Sequence, residues 1–396
     1  MNSYTKRTWA EISLNNIIHN YNSIRNNISN NAMLCCVIKA DAYGHGAVQL
    51  AKLYESLGAD WFSVSNIDEA LELRNNNIKL PILILGYTPV NYAKILSEYN
   101  IAQTCHSIDY AKSLSDMAVL QNVTVKIHLK LDTGMSRIGL MCHDIERDKI
   151  NINIAEQICK MPNLYPQGVF THFAVSDEAE DGKSFTLQQF NAFTYTINEL
   201  EKRDIIFEIK HCANSGAIID YPQMHLDMVR AGIILYGLAP SEKLKNRLNL
   251  IPAMQLKSVV SQCKEIYKGT TVSYGRTFTA ENTQKVVTIP IGYADGYIRE
   301  IAKEGYISIQ GKKAKILGRI CMDQTIVDAT NIDNINTGDE VTIFGNGLEK
   351  NTPTADDIAK WTNTINYEVI CLVNKRVPRV YYKDDKIVGV VNYLMK

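Results

Sequence analysis

Residues 34–237 carry short apolar runs that alternate with amphipathic helical stretches. The runs predict about eight strands, and stretches such as 46–57 and 187–202 predict the helices between them. The predicted strands are 34–40, 61–65, 81–86, 101–105, 123–132, 165–173, 207–212 and 226–230. This alternation favours an α/β fold of the (β/α)8 TIM-barrel type. A doubly wound sheet is the alternative, but no GxGxxG follows the first strand.

The pattern changes after Pro240. Short β-branched runs separated by glycine, as in QKVVTIPIGYADG and GDEVTIFG, predict a C-terminal, mainly antiparallel β-domain. One helix interrupts it at 354–362, with Thr354 as its N-cap and two acidic residues in its first turn. We therefore expect a barrel domain at 1–240 and a β-domain at 250–396, joined by the charged segment 241–252. For the first residues, up to about Ile12, packing against the β-domain is an alternative to packing against the barrel.

The composition of the chain narrows the class of its partners. Of 396 residues 46% are hydrophobic, and 42 Lys and Arg balance 42 Asp and Glu. A chain without net charge has no field to recruit nucleic acid or an anionic membrane, so a small-molecule partner is favoured. No signal peptide and no apolar run of about 18 residues are found, so we expect a cytoplasmic protein. Nine cysteines without CxxC spacing and eight histidines without HExxH predict reduced thiols and no metal site.

Polar residues at strand ends are the first candidates for chemistry, because barrel enzymes place their reactive groups there. Lys39 follows the first strand and precedes DAYGHG, whose glycines would let the backbone approach a bulky ligand. Taken alone, Lys39 is better explained as a lysine whose side chain extends past the barrel rim to solvent. However, Ser215 and Gly232 follow the last two strands, where barrels commonly bind phosphate through hydroxyl and backbone N–H groups. Lys39 is then free to form a Schiff base.

Further strand ends carry Arg137, His172 and Arg230. A ring of basic residues predicts an anionic ligand. His172 taken alone would more often be a core histidine, but its ring is also the expected stacking partner of a planar cofactor. In the β-domain, Tyr274 lies in SYGR, and Met322 is adjacent to an aspartate in CMDQ. Each of these two motifs is a weak signal without the other.

Eight motifs in one order resemble the alanine racemase family over nearly the whole chain. They are IKADAYGHG, LDTGMSRIG, HCANSGA, VRAGIILYG, SYGR, GYADGY, CMDQ and NYEVIC. Lys39 together with SYGR and CMDQ is specific to the racemases among barrels of this class. The resemblance implies pyridoxal 5′-phosphate as cofactor and a homodimer in which Tyr274 and Met322 reach the cofactor of the partner subunit. It also implies L-alanine and D-alanine as substrates, with D-alanine supplied to peptidoglycan.

The resemblance also implies a role for each matching residue. Lys39 carries the cofactor and acts as base on one face of the α-carbon, and Tyr274 acts on the other face. The phosphate ligands would be Tyr43, Ser215, Gly232, Ile233 and Tyr367. The substrate carboxylate would be bound by Arg137 and the Met322 amide. The supporting residues would be Lys130, which is carbamylated in some members, His211, Tyr293 and Asp323.

Arg230 matches the residue that faces the pyridine nitrogen of the cofactor, and the family places His172 and Arg230 in the network near Tyr274. Because arginine does not readily give up a proton, the ring nitrogen should stay unprotonated, which should suppress transamination. His211 matches a residue that holds Arg230 in place. Tyr293 and Tyr367 match a narrow gate that keeps substrates small. Ser136, where glycine or asparagine is also common, is expected to have little effect.

Three alternatives stay open. A barrel decarboxylase for a basic amino acid would share Lys39 and could use Cys321 as proton donor, but it would need an acid where Arg230 stands. A carrier protein for pyridoxal phosphate would have the same barrel without the β-domain. A serine or broad-specificity amino-acid racemase of the same fold would differ only in its substrate; the serine racemases tied to antibiotic resistance carry a membrane-spanning region, which this sequence lacks.

Overall fold

The structure is a computed structural model that describes residues 4–395. Ten strands lie between residue 4 and residue 231. In chain order they are β1 (Thr8–Ser13), β2 (Met33–Val37), β3 (Trp61–Val64), β4 (Ile82–Ile84), β5 (Ile101–Cys105), β6 (Val125–Asp132), β7 (Leu140–Met141), β8 (Leu164–Phe170), β9 (Ile209–His211) and β10 (Met228–Ala231).

Eight of these strands form a parallel barrel in the order β10, β2, β3, β4, β5, β6, β8, β9. In the described chain no strand ladder joins β9 to β10. Two backbone hydrogen bonds bridge this gap, from the Asp227 N–H to the Lys210 carbonyl (3.2 Å) and from the Arg230 N–H to the Ala213 carbonyl (3.0 Å). Nearly every side chain of β2, β3 and β4 is buried, as expected for parallel strands that helices cover. The predicted (β/α)8 barrel is confirmed.

Helices separate the barrel strands. They are Leu14–Asn27, Ala47–Leu57, Ile67–Asn75, Ala93–Glu98, Ile108–Leu120, Ile150–Cys159, Ala179–Glu201 and Ser215–Asp220. The helix predicted at 187–202 begins earlier than expected, at Ala179. The sequence pattern did not indicate this start, because Gly182 has poor helix propensity. The structure requires glycine there, since a Cβ at Gly182 would lie 2.0 Å from the Val175 carbonyl oxygen.

The remainder of the chain is built mainly from antiparallel strands, as predicted. They are β11 (Met254–Val259), β12 (Gln262–Ile266), β13 (Thr271–Val272), β14 (Phe278–Thr279), β15 (Gln284–Ile289), β16 (Tyr306–Ile309), β17 (Lys312–Lys315), β18 (Thr325–Asp328), β19 (Glu340–Phe344), β20 (Arg379–Lys383) and β21 (Lys386–Val391). The largest sheet has the order β17, β16, β19, β11, β1, β20, β21. The N-terminal strand β1 thus joins the sheet of the β-domain, antiparallel to β11 and parallel to β20.

Two helices, Ala355–Thr362 and Asn366–Leu372, interrupt the strands of the β-domain. The predicted N-cap of the first helix is confirmed. The Thr354 hydroxyl accepts from the Asp357 N–H (3.1 Å), and the Asp357 carboxylate accepts from the Thr354 N–H (2.9 Å). The second helix lies against the open end of the barrel, where it contributes to the wall of a cavity.

Two further properties concern the described residues as a whole. No helix within residues 4–395 is long and apolar enough to cross a membrane. All nine cysteines are free thiols, and most of them are buried; Cys371 is exposed.

Candidate active site

A cavity of about 850 Å³ opens at the carboxyl ends of the barrel strands. Barrel enzymes place their reactive groups at this end. Ten of the residues singled out from the sequence line the cavity: Lys39, Tyr43, Lys130, Arg137, His172, Ser215, Arg230, Gly232, Ile233 and Tyr367. These residues are spread over more than 300 positions of the sequence, from 39 to 367. Folding therefore brings them together without any local sequence signal of their proximity.

Lys39 lies on a strained turn, although the sequence predicted a strand as far as residue 40. The strand β2 ends at Val37, and residues 40–43 all have φ between 52° and 55°. Non-glycine residues pay about 1–2 kcal/mol each in this left-handed conformation. The Lys39 amine is largely buried, and this burial, followed by the charge of Arg137, lowers its pKa. A lysine of lowered pKa is neutral, and thus nucleophilic, closer to neutral pH.

The glycines of DAYGHG have a different function from the one expected from the sequence. A Cβ at Gly44 would lie 2.5 Å from the Ile370 carbonyl oxygen, and a Cβ at Gly46 would lie 1.8 Å from the Tyr381 hydroxyl. Both glycines also have positive φ. They therefore admit the β-domain of the same chain rather than a ligand in the cavity.

Tyr43, Ser215 and Gly232 form a cradle of hydroxyl and backbone groups in the wall of the cavity. Two of these residues follow the last barrel strands, far from Lys39 in the sequence. The Gly232 N–H donates to the Ser215 hydroxyl (3.0 Å), and a Cβ at Gly232 would lie 3.0 Å from the Tyr43 hydroxyl. The Tyr43 ring packs against Tyr236 and Tyr367, with centroids 4.9 Å and 6.1 Å apart. These contacts hold the Tyr43 hydroxyl in place. The cradle suits an anion with several oxygen atoms, since hydroxyl and N–H groups can donate to it.

Arg230 is buried in the wall of the cavity, and its hydrogen bonds within residues 4–395 all go to uncharged groups. Nη1 donates to His211 Nδ1 (2.8 Å), and Nη2 donates to the carbonyls of Thr171 (2.8 Å) and Cys212 (3.1 Å). None of these bonds uses Nε. Burial lowers the pKa of Arg230 to about 10, so the guanidinium stays charged at neutral pH.

A chain of two histidines continues behind Arg230. Since His211 Nδ1 accepts from Arg230, its Nε2 carries the hydrogen and donates to His128 Nδ1 (2.9 Å). Burial, and then the charge of Arg230, lowers the pKa of both rings, so both are neutral. His128 Nε2 is buried and has no partner in the described chain. The chain of bonds fixes the orientation of Arg230 from outside the cavity.

His172 lines the cavity as a neutral ring. Burial, and then the charge of Arg230, lowers its pKa well below the ordinary value. Arg230 Nη2 lies 3.3 Å from His172 Nδ1, which is the accepting nitrogen in a neutral ring. A neutral imidazole suits a stacking role beside an aromatic ligand better than a charged one would, because it brings no further cation into the cavity.

Arg137 and Lys130 supply two more nitrogen groups. Arg137 is exposed, on a loop whose Gly134 and Ser136 N–H groups donate to the Asp132 carboxylate (3.1 Å and 3.0 Å). Ser136 has φ 54°, which explains why glycine or asparagine would suit this position. Lys130 donates to the Leu131 carbonyl (2.7 Å), and burial, with the charge of Arg230, lowers its pKa to about 7.

Five of the predicted site residues do not line this cavity. His211 lies behind Arg230, and the other four are Tyr274, Tyr293, Met322 and Asp323. These four lie on loops of the β-domain that contact one another. The Tyr293 N–H donates to the Cys321 carbonyl (3.1 Å), which brings the GYADGY and CMDQ motifs together. Tyr274, Met322 and Tyr293 are exposed by 69%, 52% and 41%. One chain therefore leaves these large side chains open to solvent, away from its own Lys39.

Sequence reasoning missed two residues beside the cavity, Phe170 and His128. The Phe170 ring stacks on His211 (4.9 Å) and lies 5.3 Å from Lys130 Nζ and 5.4 Å from Arg230 Cζ, which suits cation–π attraction. Each lies two positions before a predicted site residue, and alternate positions of a strand share a face. This alternation places both on the same face as a predicted site residue, but it does not show that they support a charged group.

Comparison with known proteins identifies the family. The family model of the alanine racemase N-terminal domain matches residues 12–240, and the model of the C-terminal domain matches residues 253–381. The chain belongs to the alanine racemase family. The resemblance drawn from the eight motifs is confirmed, and so is the prediction of an isomerase that acts on an amino acid.

Individual alanine racemases match over almost their entire length. The alanine racemase of Clostridium tetani is 43% identical over 100% of both chains, and alanine racemase 1 of Clostridium acetobutylicum is 44% identical over 99% of both. Among solved structures, the alanine racemase of Clostridium difficile 630 matches with a TM-score of 0.93 and 41% identity, over 99% of this chain and 100% of that one. The Bacillus anthracis alanine racemase with bound L-Ala-P matches with a TM-score of 0.89 and 32% identity, over 99% of each chain.

Proposed function

We propose that this chain interconverts L-alanine and D-alanine with pyridoxal 5′-phosphate attached to Lys39. The observation that carries the proposal is the meeting of three groups in one cavity: the half-buried Lys39, whose pKa is lowered, a charged Arg230 and the hydroxyl-lined cradle at Gly232. Family membership supplies the reaction class. The curated relatives named above are alanine racemases, which makes alanine the first substrate to test.

The residues of the cavity fit pyridoxal phosphate. Tyr43, Ser215, Gly232, Ile233 and Tyr367 would hold its phosphate, since the cradle offers hydroxyl and N–H groups and a Cβ at Gly232 would narrow it. A neutral Lys39 would attach the aldehyde. The neutral ring of His172 would lie beside the pyridine ring, and Arg230 would face the ring nitrogen.

When bound, the cofactor would draw electrons away from the α-carbon of the amino acid and so acidify its proton. Arg230 keeps its own proton at neutral pH and would donate a hydrogen bond to the ring nitrogen without protonating it. Once the amine of the substrate had displaced Lys39 from the cofactor, the freed Nζ would remove or return the α-proton, on the face from which D-alanine reacts. Its burial favours this role because a neutral amine is a competent base.

Tyr274 would be the base on the opposite face, contributed by a second copy of the chain. Its ring is 69% exposed and does not line the cavity that holds Lys39, and the neighbouring Met322 and Tyr293 are exposed as well. Exposed aromatic and apolar side chains of this kind mark a contact surface. We infer a homodimer in which the hydroxyl of Tyr274 and the amide of Met322 complete the partner's cavity.

A mixed dimer tests this arrangement directly. Lys39→Ala should be inactive and Tyr274→Phe should racemise only slowly, but a dimer of the two regains one intact site if Tyr274 acts across the interface. Random mixing then restores about a quarter of the wild-type rate. If Tyr274 acts within its own chain, both sites stay defective and no activity returns. In addition, Tyr274→Phe alone should slow proton removal from L-alanine more than from D-alanine; equal residual rates in single-turnover exchange would contradict the assigned faces.

Arg137 would bind the substrate carboxylate, because it is the exposed cation of the cavity wall. Lys130 lies nearby, and its lowered pKa leaves a neutral amine that can be carbamylated and so hold Arg137 in place. Asp323 receives a hydrogen bond from Arg376 (2.8 Å), which would steady the loop of Met322. Tyr367 of one chain and Tyr293 of the other would restrict the substrate to a small side chain.

The experiment that tests the function is chiral chromatography in heavy water. The purified chain is incubated with pyridoxal phosphate and, separately, with L-alanine, L-serine, L-lysine and L-glutamate. Racemised, α-deuterated alanine formed ahead of the others is the expected result, and it fits a role in supplying D-alanine to peptidoglycan. Serine exchanged as fast as alanine would favour the serine or broad-specificity racemase. No exchange of any α-proton, with the cofactor bound, would refute racemisation.

A further inference from the structure

The segment that presents Lys39, residues 39–46, is hereafter the lysine loop. It contains four consecutive non-glycine residues in the left-handed conformation, 40–43, followed by two glycines of positive φ. Isolated residues adopt this conformation routinely only when they are glycine. Contacts from outside the loop must therefore offset the strain, and such strained segments cluster at functional sites.

The barrel supplies one of these contacts. The Glu69 carboxylate accepts from the Ala40 N–H (2.8 Å) and from the Ser65 N–H (2.7 Å). This carboxylate joins the start of the lysine loop to the end of β3. In the second half of the loop, the barrel domain contributes the ring of Tyr236, which packs against Tyr43 (4.9 Å) and His45 (4.6 Å).

Arg379 of β20 holds that second half. Arg379 is 1% exposed, and its Nε donates to the Gly44 carbonyl (2.8 Å). The other nitrogens donate to the carbonyls of residues 373, 374 and 377, at 2.6–2.7 Å. A buried cation bonded to four carbonyls orders the lysine loop and the turn before β20 as one unit.

Two tyrosines of the β-domain complete the support. The Tyr381 hydroxyl donates to the His45 carbonyl (2.9 Å), in the space that the absent side chain of Gly46 leaves open. The Tyr393 hydroxyl donates to the Asp41 carboxylate, whose other oxygen accepts from a backbone N–H at the start of the next helix. Asp41 is itself one of the left-handed residues.

We propose that Arg379, Tyr381 and Tyr393 are positioning residues for Lys39, and that they act by holding the lysine loop in its left-handed conformation. None of the three lines the cavity. Through them the β-domain of each chain sets the geometry of the base in its own barrel, in addition to lending residues to the partner. This inference rests on the proposed function only in taking Lys39 as the group that binds the cofactor and moves the proton.

Tyr393→Phe is the test variant, because Tyr393 is half-buried and the change removes one hydroxyl without altering the core. Tyr382→Phe is the matched control. Tyr382 is a half-buried tyrosine on the same strand as Tyr381, and it lies near Tyr4 and Glu11 rather than the lysine loop. Tyr381→Phe, alone and combined with Tyr393→Phe, provides a second route to the same loop if one variant is poorly expressed.

The first readout is attachment of pyridoxal phosphate to full-length protein, followed by visible absorbance and located by borohydride reduction and peptide mass mapping. We expect Tyr393→Phe to weaken attachment at Lys39 about 10-fold, and Tyr382→Phe to leave it unchanged. The second readout is the primary isotope effect with α-deuterated alanine. It should increase in the D-to-L direction, in which Lys39 removes the proton, and not in the L-to-D direction.

Equal attachment and equal isotope effects in Tyr393→Phe, Tyr382→Phe and wild type would overturn the proposal. So would isotope effects that increase equally in both directions with attachment unchanged, because Lys39 removes the proton in the D-to-L direction only. A wild-type chain that attaches the cofactor at Lys39 but does not racemise alanine would refute the proposed function alone. In that case, cofactor attachment at Lys39 in Tyr393→Phe, compared with Tyr382→Phe, still tests whether the tyrosine holds the lysine loop.

Discussion

Gly232→Ala should weaken cofactor binding in addition to a moderate loss of folding stability. The added Cβ would lie 3.0 Å from the Tyr43 hydroxyl and 3.5 Å from the Ser215 hydroxyl. The Tyr43 hydroxyl must therefore move away from the new Cβ by a few tenths of an ångström. Tyr43 has little freedom to move, because it is 8% exposed and packs between Tyr236 and Tyr367. Overpacking of this kind costs about 1–3 kcal/mol, which corresponds to an increase of about 5- to 150-fold in the dissociation constant.

The assay is a titration of the cofactor-free protein with pyridoxal phosphate, together with urea unfolding of the cofactor-free form. Gly345→Ala is the control, because its Cβ would also lie 3.0 Å from a neighbour, the Thr352 methyl group, but in the β-domain away from the cavity. Both variants should lose a similar amount of folding stability. Only Gly232→Ala should bind the cofactor more weakly. If both variants bind it as wild type does, the cradle is not the phosphate site.

Three further predictions concern the cavity wall and the loop that presents Arg137. Arg230→Glu should raise transamination side products, measured as pyruvate released per racemisation event, because a carboxyl group can share a proton with the ring nitrogen; unchanged partitioning would count against that role. Lys130 has a pKa of about 7 when folded and an ordinary value of 10.5, so between these pH values the unfolded chain binds more protons and stability should rise with pH. The free energies of unfolding of wild type and Lys130→Met are compared in urea without bicarbonate. Only wild type should gain stability with pH, so the difference between the two should change in favour of wild type by about 1.4 kcal/mol per pH unit from pH 7 to 9. A difference that stays constant would show that the amine stays charged. Ser136→Gly should raise the free energy of unfolding by about 0.5–1 kcal/mol in the same assay with kcat nearly unchanged, since φ is 54° there; a less stable variant would show that the serine hydroxyl contributes more than the strain costs.

The sequence by itself determined the fold class and most of the cavity wall. Parallel strands that helices cover are buried on both faces, so they appear as continuous apolar runs, and eight such runs predicted the barrel. Because residues that follow parallel strands meet at one end of a barrel, Lys39, His172, Ser215 and Gly232 could be placed together from the runs alone. The order of the motifs then identified the family, which the domain matches confirmed.

Only the tertiary structure decided how Lys39 is held. A local reading extended β2 to residue 40, but the lysine loop turns left-handed, since Arg379, Tyr381 and Tyr393 contact it from more than 330 residues away. The glycines at 44 and 46 admit those contacts, which their local pattern did not reveal. His128 and Phe170 escaped notice for the same reason. An apolar or aromatic residue in a buried strand has the same local pattern whether it packs a core or supports a charged group, and only its distant neighbours distinguish the two.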